Sequence, residues 1–284
     1  MGKKIVVTGA AGWIGTNLCH HLLSQGHHVI GIDRDYKWDL PGRLSLQSHP
    51  HFTCLEHDVR SPFAADADLI YHLACPPASA EHHDLLQTAA QGTLHTLQLA
   101  EKLHIPLLFA SAPLFPPSPF TQAKRAAESL CLEFLQRGVH VKIARVFNTY
   151  GPYYSPHDDR VIPSFLEAAF EGRPLTVFGD GSHTRSFLAV EDLIRGFETF
   201  LLSSQTGPLD FGHPSSISIL QLAHLTQEVT ESYPGIEFVS LPPDLLPYQK
   251  PKSSETQDLL GWCPKISLLE GIRRIHRETL ARIV

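Results

Sequence analysis

A glycine-rich turn after the first apolar run is the feature that most constrains the fold of this chain. Residues 4–8 are predicted to form a buried strand and residues 12–25 a helix, with Gly9, Gly12 and Gly15 at their junction. In such a turn the first glycine permits the sharp reversal, the second lets the backbone approach a pyrophosphate, and the third lets helix and strand pack closely. The helix N-terminus then faces the diphosphate. The turn therefore predicts a strand–helix–strand unit that binds a dinucleotide.

An acidic residue ends the next predicted strand, residues 28–32. Asp33 follows Gly15 by 18 residues, a spacing at which a carboxylate binds both ribose hydroxyls of a dinucleotide. Its charge repels a 2′-phosphate and so favours NAD over NADP, while neighbouring Arg34 leaves NADP open. Asp58, after the third predicted strand, is a candidate acceptor for the adenine amino group, although an isolated aspartate there commonly caps a loop.

Strands and helices alternate through the first half of the chain, which predicts an α/β fold with a Rossmann-type doubly wound parallel sheet. The predicted strands are residues 4–8, 28–32, 52–56, 69–73, 107–110 and 141–145, and the predicted helices are 12–25, 82–103, 121–137, 163–172, 190–202, 218–233 and 268–283. After Asn148, prolines and glycines break the pattern. We predict an NAD-binding domain over residues 1–147 and a smaller C-terminal α/β substrate lobe over residues 148–284, with residues 188–204 packing back on the first domain.

Composition and charge exclude several classes of function. The chain has 284 residues, is 43% hydrophobic and 18% charged, and contains no apolar run near the ~18 residues of a membrane span. Its net charge of −6 includes no basic block, so no nucleic-acid partner is expected.

The cysteines and histidines predict neither disulfides nor a metal site. Five scattered cysteines without CxxC spacing predict reduced thiols. Adjacent histidine pairs lack the i, i+4 spacing of a helical metal site, so no metal is expected. The apolar run before Gly9 is too short for a signal peptide, and we expect a cytoplasmic protein.

Several motifs along nearly the whole chain carry a family resemblance. They are residues 8–15, Tyr71-His72-Leu73-Ala74-Cys75-Pro76, Gly92-Thr93-Leu94, and the C-terminal segments 145–152, 179–187 and 259–265. Together they resemble the extended short-chain dehydrogenase/reductase family of NAD-dependent epimerases and dehydratases, most of all its UDP-glucuronate decarboxylase branch. The resemblance implies an NAD that is retained while C4 of a UDP-sugar is oxidised and later reduced. It also implies a homodimer paired through helices 82–103 and 121–137.

The resemblance extends to the residues that hold the two ligands. The implied cofactor residues are Gly9, Gly12, Trp13, Ile14, Gly15, Asp33, Arg34, Asp58, Val59, Leu73, Ala74 and Lys124. The implied nucleotide-sugar residues are Asn148, Arg160, Val161, Phe178, Arg185 and Tyr248. An arginine fork suits a diphosphate because it pairs with it bidentately, although Arg185 is also compatible with a structural salt bridge. The family's second diphosphate arginine falls within residues 248–252, where only lysines remain.

The catalytic machinery of the family is only partly present. Lys124 matches the lysine of the Tyr-x-x-x-Lys pair, but Phe120 stands at the tyrosine, which is the base in that family. Ala112 and Leu114 stand where relatives have a polarising hydroxyl and an acid, and residues 115–119 are short and rich in proline. Ser111 is either a substitute hydroxyl donor or a buried strand-end side chain.

Two functions therefore remain open. General acid–base help contributes about 10²–10⁴-fold to a rate, so the missing groups predict an NAD-linked nucleotide-sugar enzyme with impaired or altered C4 oxidation. The alternative is a non-catalytic protein that binds NAD and a UDP-sugar and acts as a sensor or partner subunit. Four residues near the start of the second lobe are candidates to reach the sugar or to serve only in packing: Tyr150, Tyr153, Tyr154 and His157.

Overall fold

The computed structural model describes residues 2–40, 42–155, 158–241 and 250–283, with side chains as far as residue 279. The first half contains β1 (Lys4–Thr8), α1 (Trp13–Ser24), β2 (His28–Asp33), α2 (Arg43–Gln47), β3 (Phe52–Glu56), β4 (Leu69–His72), α3 (His82–Gln87), a π-helical turn (Thr88–Gly92), α4 (Thr93–Leu103), β5 (Leu107–Ser111), α5 (Pro119–Gln136) and β6 (Val141–Val146). The second half contains β7 (Thr149–Tyr150), α6 (Val161–Phe170), β8 (Leu175–Phe178), β9 (Thr184–Arg185), β10 (Leu188–Ala189), α7 (Val190–Leu202), β11 (Leu209–Phe211), β12 (Ile217–Ser218), α8 (Ile219–Thr230), β13 (Ile236–Val239), α9 (Ser253–Leu260) and α10 (Leu268–Ile283).

Seven strands form one sheet in the order β3-β2-β1-β4-β5-β6-β11, and every neighbouring pair is parallel. The chain builds outward from β1 through β2 and β3 and then returns to place β4, β5 and β6 on the other side. The strand order therefore reverses between β1 and β4, which confirms the predicted doubly wound parallel sheet. The last strand, β11, comes from beyond residue 147, where the sequence placed the domain boundary, because residues 209–211 pair with the end of β6.

Successive residues of the central strands are buried on opposite faces of the sheet. In β1, Val7 belongs to a core formed with α1 and α7, and Val6 to a core formed with α4 and α5. Both faces are covered, which is why these strands are continuous apolar runs. Each fully buried aliphatic side chain contributes about 1.5–3 kcal/mol. This packing makes the sheet a rigid base for the residues at its carboxyl edge.

The second lobe has its own core, formed where α6, α8 and α10 meet the short strands β8 and β13. Helix α7 instead packs on α1 and β6 of the large sheet. Its fully buried Asp192 accepts hydrogen bonds from the backbone N–H groups of Lys265 (2.8 Å) and Ile266 (2.9 Å). One carboxylate thus fastens the segment before α10 to the helix that covers the sheet.

Several helix predictions were wrong at their bounds: α6 (Val161–Phe170) begins two residues before the predicted helix 163–172, and α8 (Ile219–Thr230) ends three residues before the predicted end at 233. Two further differences have a clear structural reason. The predicted helix 82–103 is divided by the π-helical turn, where a Cβ at Gly92 would lie 2.7 Å from a methyl of Val59. The predicted helix 121–137 begins two residues earlier, because Ser118 caps it: its hydroxyl accepts from the Thr121 N–H at 3.2 Å, and the Thr121 hydroxyl accepts from the Ser118 N–H at 2.8 Å. Phe120 and Lys124 consequently lie one turn apart on the same helix.

None of the described helices combines the length and apolar character needed to cross a membrane. Within the same described residues, no three or more His, Cys, Asp or Glu side chains are arranged to hold a metal ion.

Candidate functional site

The glycine turn joins β1 to α1 at the carboxyl edge of the sheet. Gly9 has φ 73°, a conformation that favours glycine, and Gly12 caps the N-terminus of α1. A Cβ at Gly15 would lie 2.1 Å from the carbonyl oxygen of Gly9 and 2.8 Å from Cα of Ala10. Only glycine lets α1 begin this close to the turn. The first turn of α1 contains no acidic residue, so its N-terminus is suited to an anion.

Asp33 lies beside this turn, at the end of β2. Its carboxylate accepts a hydrogen bond from the N–H of Ala11 at 2.9 Å and another from the N–H of Asp35 at 3.3 Å. Burial raises the pKa of the Asp33 carboxyl, and hydrogen bonds from backbone N–H groups oppose that effect. The fold therefore brings the predicted diphosphate turn and the predicted ribose ligand together.

A cleft of about 1020 Å³ lies between the carboxyl edge of the sheet and the second lobe. The residues implied to bind a ligand or to stand at a catalytic position that line it include Gly9, Gly12, Trp13, Ile14, Gly15, Leu73, Ser111, Phe120, Lys124, Asn148, Arg160, Val161, Phe178 and Arg185. Five of the implied cofactor residues do not line it: Asp33, Arg34, Asp58, Val59 and Ala74. Two candidates, His157 and Tyr248, lie outside the described residues.

Arg34 and Asp58 belong to a network of ion pairs that sequence reasoning missed. Arg60 pairs with Asp58 (Nε–Oδ2 2.8 Å) and with Asp84 (Nη1–Oδ1 2.7 Å), and Asp84 also pairs with Arg34 (Nη2–Oδ2 3.1 Å). The hydrogen bond from Arg60 holds the pKa of the Asp58 carboxyl below its usual range. Two arginines and two aspartates compensate each other here. The Asp58-x-Arg60 spacing is a weak local signal, but only the fold brings Asp84 to it.

Lys124 is buried, with 5% of its surface exposed, one turn of α5 after Phe120. Its Nζ donates a hydrogen bond to the carbonyl oxygen of Ala110 at 2.8 Å and lies 5.0 Å from the ring centre of Phe109 and 5.9 Å from that of Phe120. The fold therefore assembles the lysine and the residue at the tyrosine position as the motif predicted. The side chain facing the lysine is an aromatic ring without a hydroxyl.

Ser111 ends β5 and lines the same cleft. Its hydroxyl is buried, and no described group forms a hydrogen bond with it. A buried polar group without a partner costs about 1–3 kcal/mol, so a polar ligand atom that reached Ser111 would remove this cost. The neighbouring Ala112 offers no hydroxyl. Ser111 is thus the unsatisfied polar side chain at the end of the cleft that contains Lys124.

The histidine of the β4 motif is buried behind the cleft rather than in its lining. His72 Nδ1 lies 2.7 Å from the Thr8 hydroxyl, and its Nε2 lies 3.1 Å from the Thr93 hydroxyl. Burial, with a smaller effect of Lys124, lowers the pKa of His72 to about 3. The ring is therefore neutral and links β1, β4 and α4 through hydrogen bonds.

The second lobe contributes cations to the cleft. The Arg160 guanidinium lies 4.4 Å from the ring centre of Trp13 and pairs with Asp158 at 2.6 Å. Arg185 donates to the Thr184 carbonyl oxygen at 2.9 Å. With Lys124, these arginines give the described lining three cations against one carboxylate, Asp159. Such a cleft suits a ligand with several negative charges.

The three described tyrosines near the start of the second lobe contact protein groups. The Tyr150 hydroxyl donates to the Ser267 carbonyl oxygen at 3.4 Å, and burial raises the pKa of Tyr150. The Tyr154 hydroxyl lies 3.4 Å from that of Thr279, and the ring of Tyr153 packs 4.8 Å from that of His20. Tyr150 and Tyr154 line the cleft, whereas Tyr153 does not. None of the three occupies the place of the missing tyrosine, which Phe120 holds.

Comparison with known proteins gives a consistent result. The sequence profile of the NAD dependent epimerase/dehydratase family matches residues 5–211. UDP-glucuronic acid decarboxylase 1 of Arabidopsis thaliana is 35% identical over 308 residues, covering 99% of this chain and 71% of that protein. The Xenopus tropicalis UDP-glucuronic acid decarboxylase 1 is 34% identical over 301 residues, covering 96% and 72%. Among solved structures, UDP-glucuronic acid 4-epimerase from Bacillus cereus in complex with UDP-glucuronic acid and NAD matches with a TM-score of 0.84 and 26% identity, covering 99% of this chain and 100% of that one.

Proposed function

The chain belongs to the NAD dependent epimerase/dehydratase family, and from this premise we propose that it holds NAD and a UDP-sugar in one cleft and oxidises C4 of the sugar only slowly. The resemblance seen in the motifs is thereby confirmed at the level of the family. NAD is the cofactor of that family, as the glycine turn predicted.

The residues of the turn fit this cofactor. Gly12 leaves backbone exposed to the cleft, α1 directs its N-terminal N–H groups toward it, and Asp33 presents a carboxylate beside the turn. When bound, NAD supplies the acceptor for the hydride that leaves C4 of the sugar as its hydroxyl loses a proton. The chain's own part is to hold the diphosphate at α1, to bind the ribose hydroxyls through Asp33 and to enclose the reacting end.

A UDP-sugar is the proposed second ligand because of the charge of the cleft. Arg160 and Arg185 provide guanidinium groups for a diphosphate, and Asn148 and Phe178 lie beside them in the lining. The relatives named above are enzymes of UDP-glucuronic acid, which adds a carboxylate to the diphosphate charge. We take UDP-glucuronic acid as the first ligand to test.

The observation that carries the proposal of slow chemistry is the environment of Lys124. Phe120 cannot accept the proton of a sugar hydroxyl, and Lys124 donates to Ala110 rather than to a tyrosine oxygen. Ser111 can orient a sugar oxygen through its hydroxyl, but a serine without a neighbouring base does not remove a proton. The loss of general base help corresponds to a rate about 10²–10⁴-fold lower.

A neighbouring ion pair supports a second function. In this alternative the protein is non-catalytic, and it senses NAD and a UDP-sugar or acts as a partner subunit. Glu128 lies one turn after Lys124 on α5, but its carboxylate is held by Arg145, with Nε–Oε1 at 2.9 Å and Nη2–Oε2 at 2.7 Å. This carboxylate is therefore engaged and does not replace the missing acid. The retained cations favour ligand binding even without turnover.

The test combines binding with turnover. Purified protein is titrated with UDP-glucuronic acid in a calorimeter, its bound nucleotide is identified, and product formation is followed by chromatography. We expect both ligands to bind and C4 oxidation to be at least about 10²-fold slower than in the double variant Phe120→Tyr with Ala112→Thr. Phe120→Leu is the matched control and should leave the slow rate unchanged. If the parent and the double variant had equal rates, the missing tyrosine and hydroxyl would not be the cause of slow C4 oxidation. Loss of the parent's residual rate in Phe120→Leu would contradict the proposal as well.

The quaternary state and location belong to the same proposal. We expect a cytoplasmic homodimer paired through α4 and α5, on whose surface Leu132 is 40% exposed. Light scattering tests the dimer, and a monomeric mass at micromolar concentration would refute it.

A further inference from the structure

Within the part of the chain that the structure describes, no anion pairs with Lys124. Its Nζ donates to a neutral carbonyl oxygen and faces the rings of Phe109 and Phe120. Glu128, the carboxylate nearest to it along α5, is paired with Arg145. His72 is neutral because its pKa is low. Asp159, the one carboxylate of the described cleft lining, is exposed and adjoins Arg160.

The topology places this charge on the nicotinamide side of a bound dinucleotide. In a doubly wound sheet the dinucleotide lies across the point where the strand order reverses, with one half on each side. Asp33 follows β2, on one side of β1, and is the ribose ligand of the adenosine half. Lys124 is hydrogen-bonded to Ala110 of β5, on the other side of β1, where the nicotinamide half must lie.

The two redox forms of the nicotinamide differ in charge there. The ring of NAD⁺ carries a positive charge, whereas the dihydronicotinamide ring of NADH is neutral and apolar. A buried ammonium repels the first, and the rings of Phe109 and Phe120 give an apolar surface that suits the second. A tyrosinate at position 120 would neutralise Lys124, but phenylalanine does not.

We propose that this cleft selects the reduced dinucleotide, holding NADH about tenfold more tightly than NAD⁺, so that its occupancy reports the redox state of the NAD pool. The inference rests on the proposed binding of the dinucleotide and specifies which redox form of it binds more tightly. Tenfold is the effect expected of one uncompensated charge at an effective dielectric constant between those of water and a dry protein interior. A protein that turns over slowly can keep such a ligand long enough to act as a sensor.

Equilibrium dialysis of the 284-residue protein tests the proposal without relying on activity. The protein is dialysed against equal concentrations of NADH and NAD⁺, and the nucleotides released on denaturation are quantified by chromatography. The parent should release NADH and NAD⁺ in a ratio of about 10:1. Lys124→Met, which keeps the length and loses the charge, should bring the ratio to about 1:1, and Lys124→Gln serves if the methionine variant does not fold.

The control is Lys102→Met, which removes an exposed charge on α4 and should leave the parent ratio unchanged. A parent ratio at or below 1:1, or one that neither Lys124 variant alters, overturns the selection of NADH. Retention of neither nucleotide overturns the proposed cofactor binding itself, and the inference with it. The two failures are therefore distinguished by the amount of nucleotide retained.

Discussion

Alanine at Gly12 should separate nucleotide binding from folding. Gly12 has φ −69° and ψ 163°, which any residue can adopt, and a Cβ there would meet only the Gly9 carbonyl oxygen, at 3.1 Å. The free energy of unfolding of Gly12→Ala should therefore stay within about 1 kcal/mol of the parent value. The added methyl otherwise meets open space in the cleft where the backbone approaches a pyrophosphate. NAD should bind at least about tenfold more weakly, a loss of about 1.4 kcal/mol.

Gly15→Ala is the contrasting variant three residues later. Its Cβ would lie 2.1 Å from the Gly9 oxygen and 2.8 Å from Cα of Ala10. These are backbone atoms that no side-chain rotation can move, so α1 must shift away from β1. Overpacking of this kind costs about 3 kcal/mol, and this variant should lose stability as well as NAD binding.

Urea denaturation measures the first effect, and calorimetric titration with NAD measures the second. Gly207→Ala is the control, because a Cβ there meets nothing within 4 Å. Binding of NAD to Gly12→Ala with the parent affinity would show that the turn is not the diphosphate site. Equal stability of the Gly12 and Gly15 variants would refute the packing argument.

The remaining predictions concern charged residues outside the cleft lining. Asp84→Asn releases Arg34, and competitive titration should show the affinity for NADP rising about fivefold relative to that for NAD, because a free guanidinium attracts the 2′-phosphate. Burial raises the pKa of Asp33, so the ionised carboxylate destabilises the ligand-free protein above that pKa. Asp33→Asn should therefore raise the melting temperature at pH 7 by about 2 °C and should have no effect on it below pH 3.8, where the carboxyl is protonated. The same variant should bind NAD more weakly. Glu128→Gln leaves Arg145 without its anion and should lower the free energy of unfolding by about 2 kcal/mol in urea denaturation.

Asp66→Asn is the common control for these variants. Asp66 pairs with Lys4 in an ion pair that is exposed on both sides, and its loss should change the unfolding free energy by less than about 1 kcal/mol and the nucleotide preference not at all. An unchanged NADP-to-NAD ratio in Asp84→Asn would show that Arg34 does not reach the 2′-phosphate. A melting difference for Asp33→Asn that persists below pH 3.8 would exclude ionisation as its cause. A stability of Glu128→Gln equal to that of Asp66→Asn would show that the buried pair contributes little.

The sequence alone determined the class of fold and the family. Apolar runs and glycine placement are local properties, because a strand or a turn is specified by neighbouring residues. The parallel sheet, the turn at Gly9 and the acidic residue at the end of β2 were predictable for that reason. The Phe120 and Lys124 pair was predictable as well, since four residues on one helix always share a face.

Tertiary structure decided the environment of each of these groups. The partner of Lys124 is Ala110, 14 residues earlier in the chain, and Asp84 reaches Arg34 across 50 residues. Arg160, which the resemblance implied as a nucleotide-sugar residue, also lies over the ring of Trp13 in the cofactor turn. No local spacing encodes such contacts, because they arise when separate elements pack. The sequence shows that the tyrosine is missing, and only the packed structure shows that no anion among the described residues pairs with Lys124.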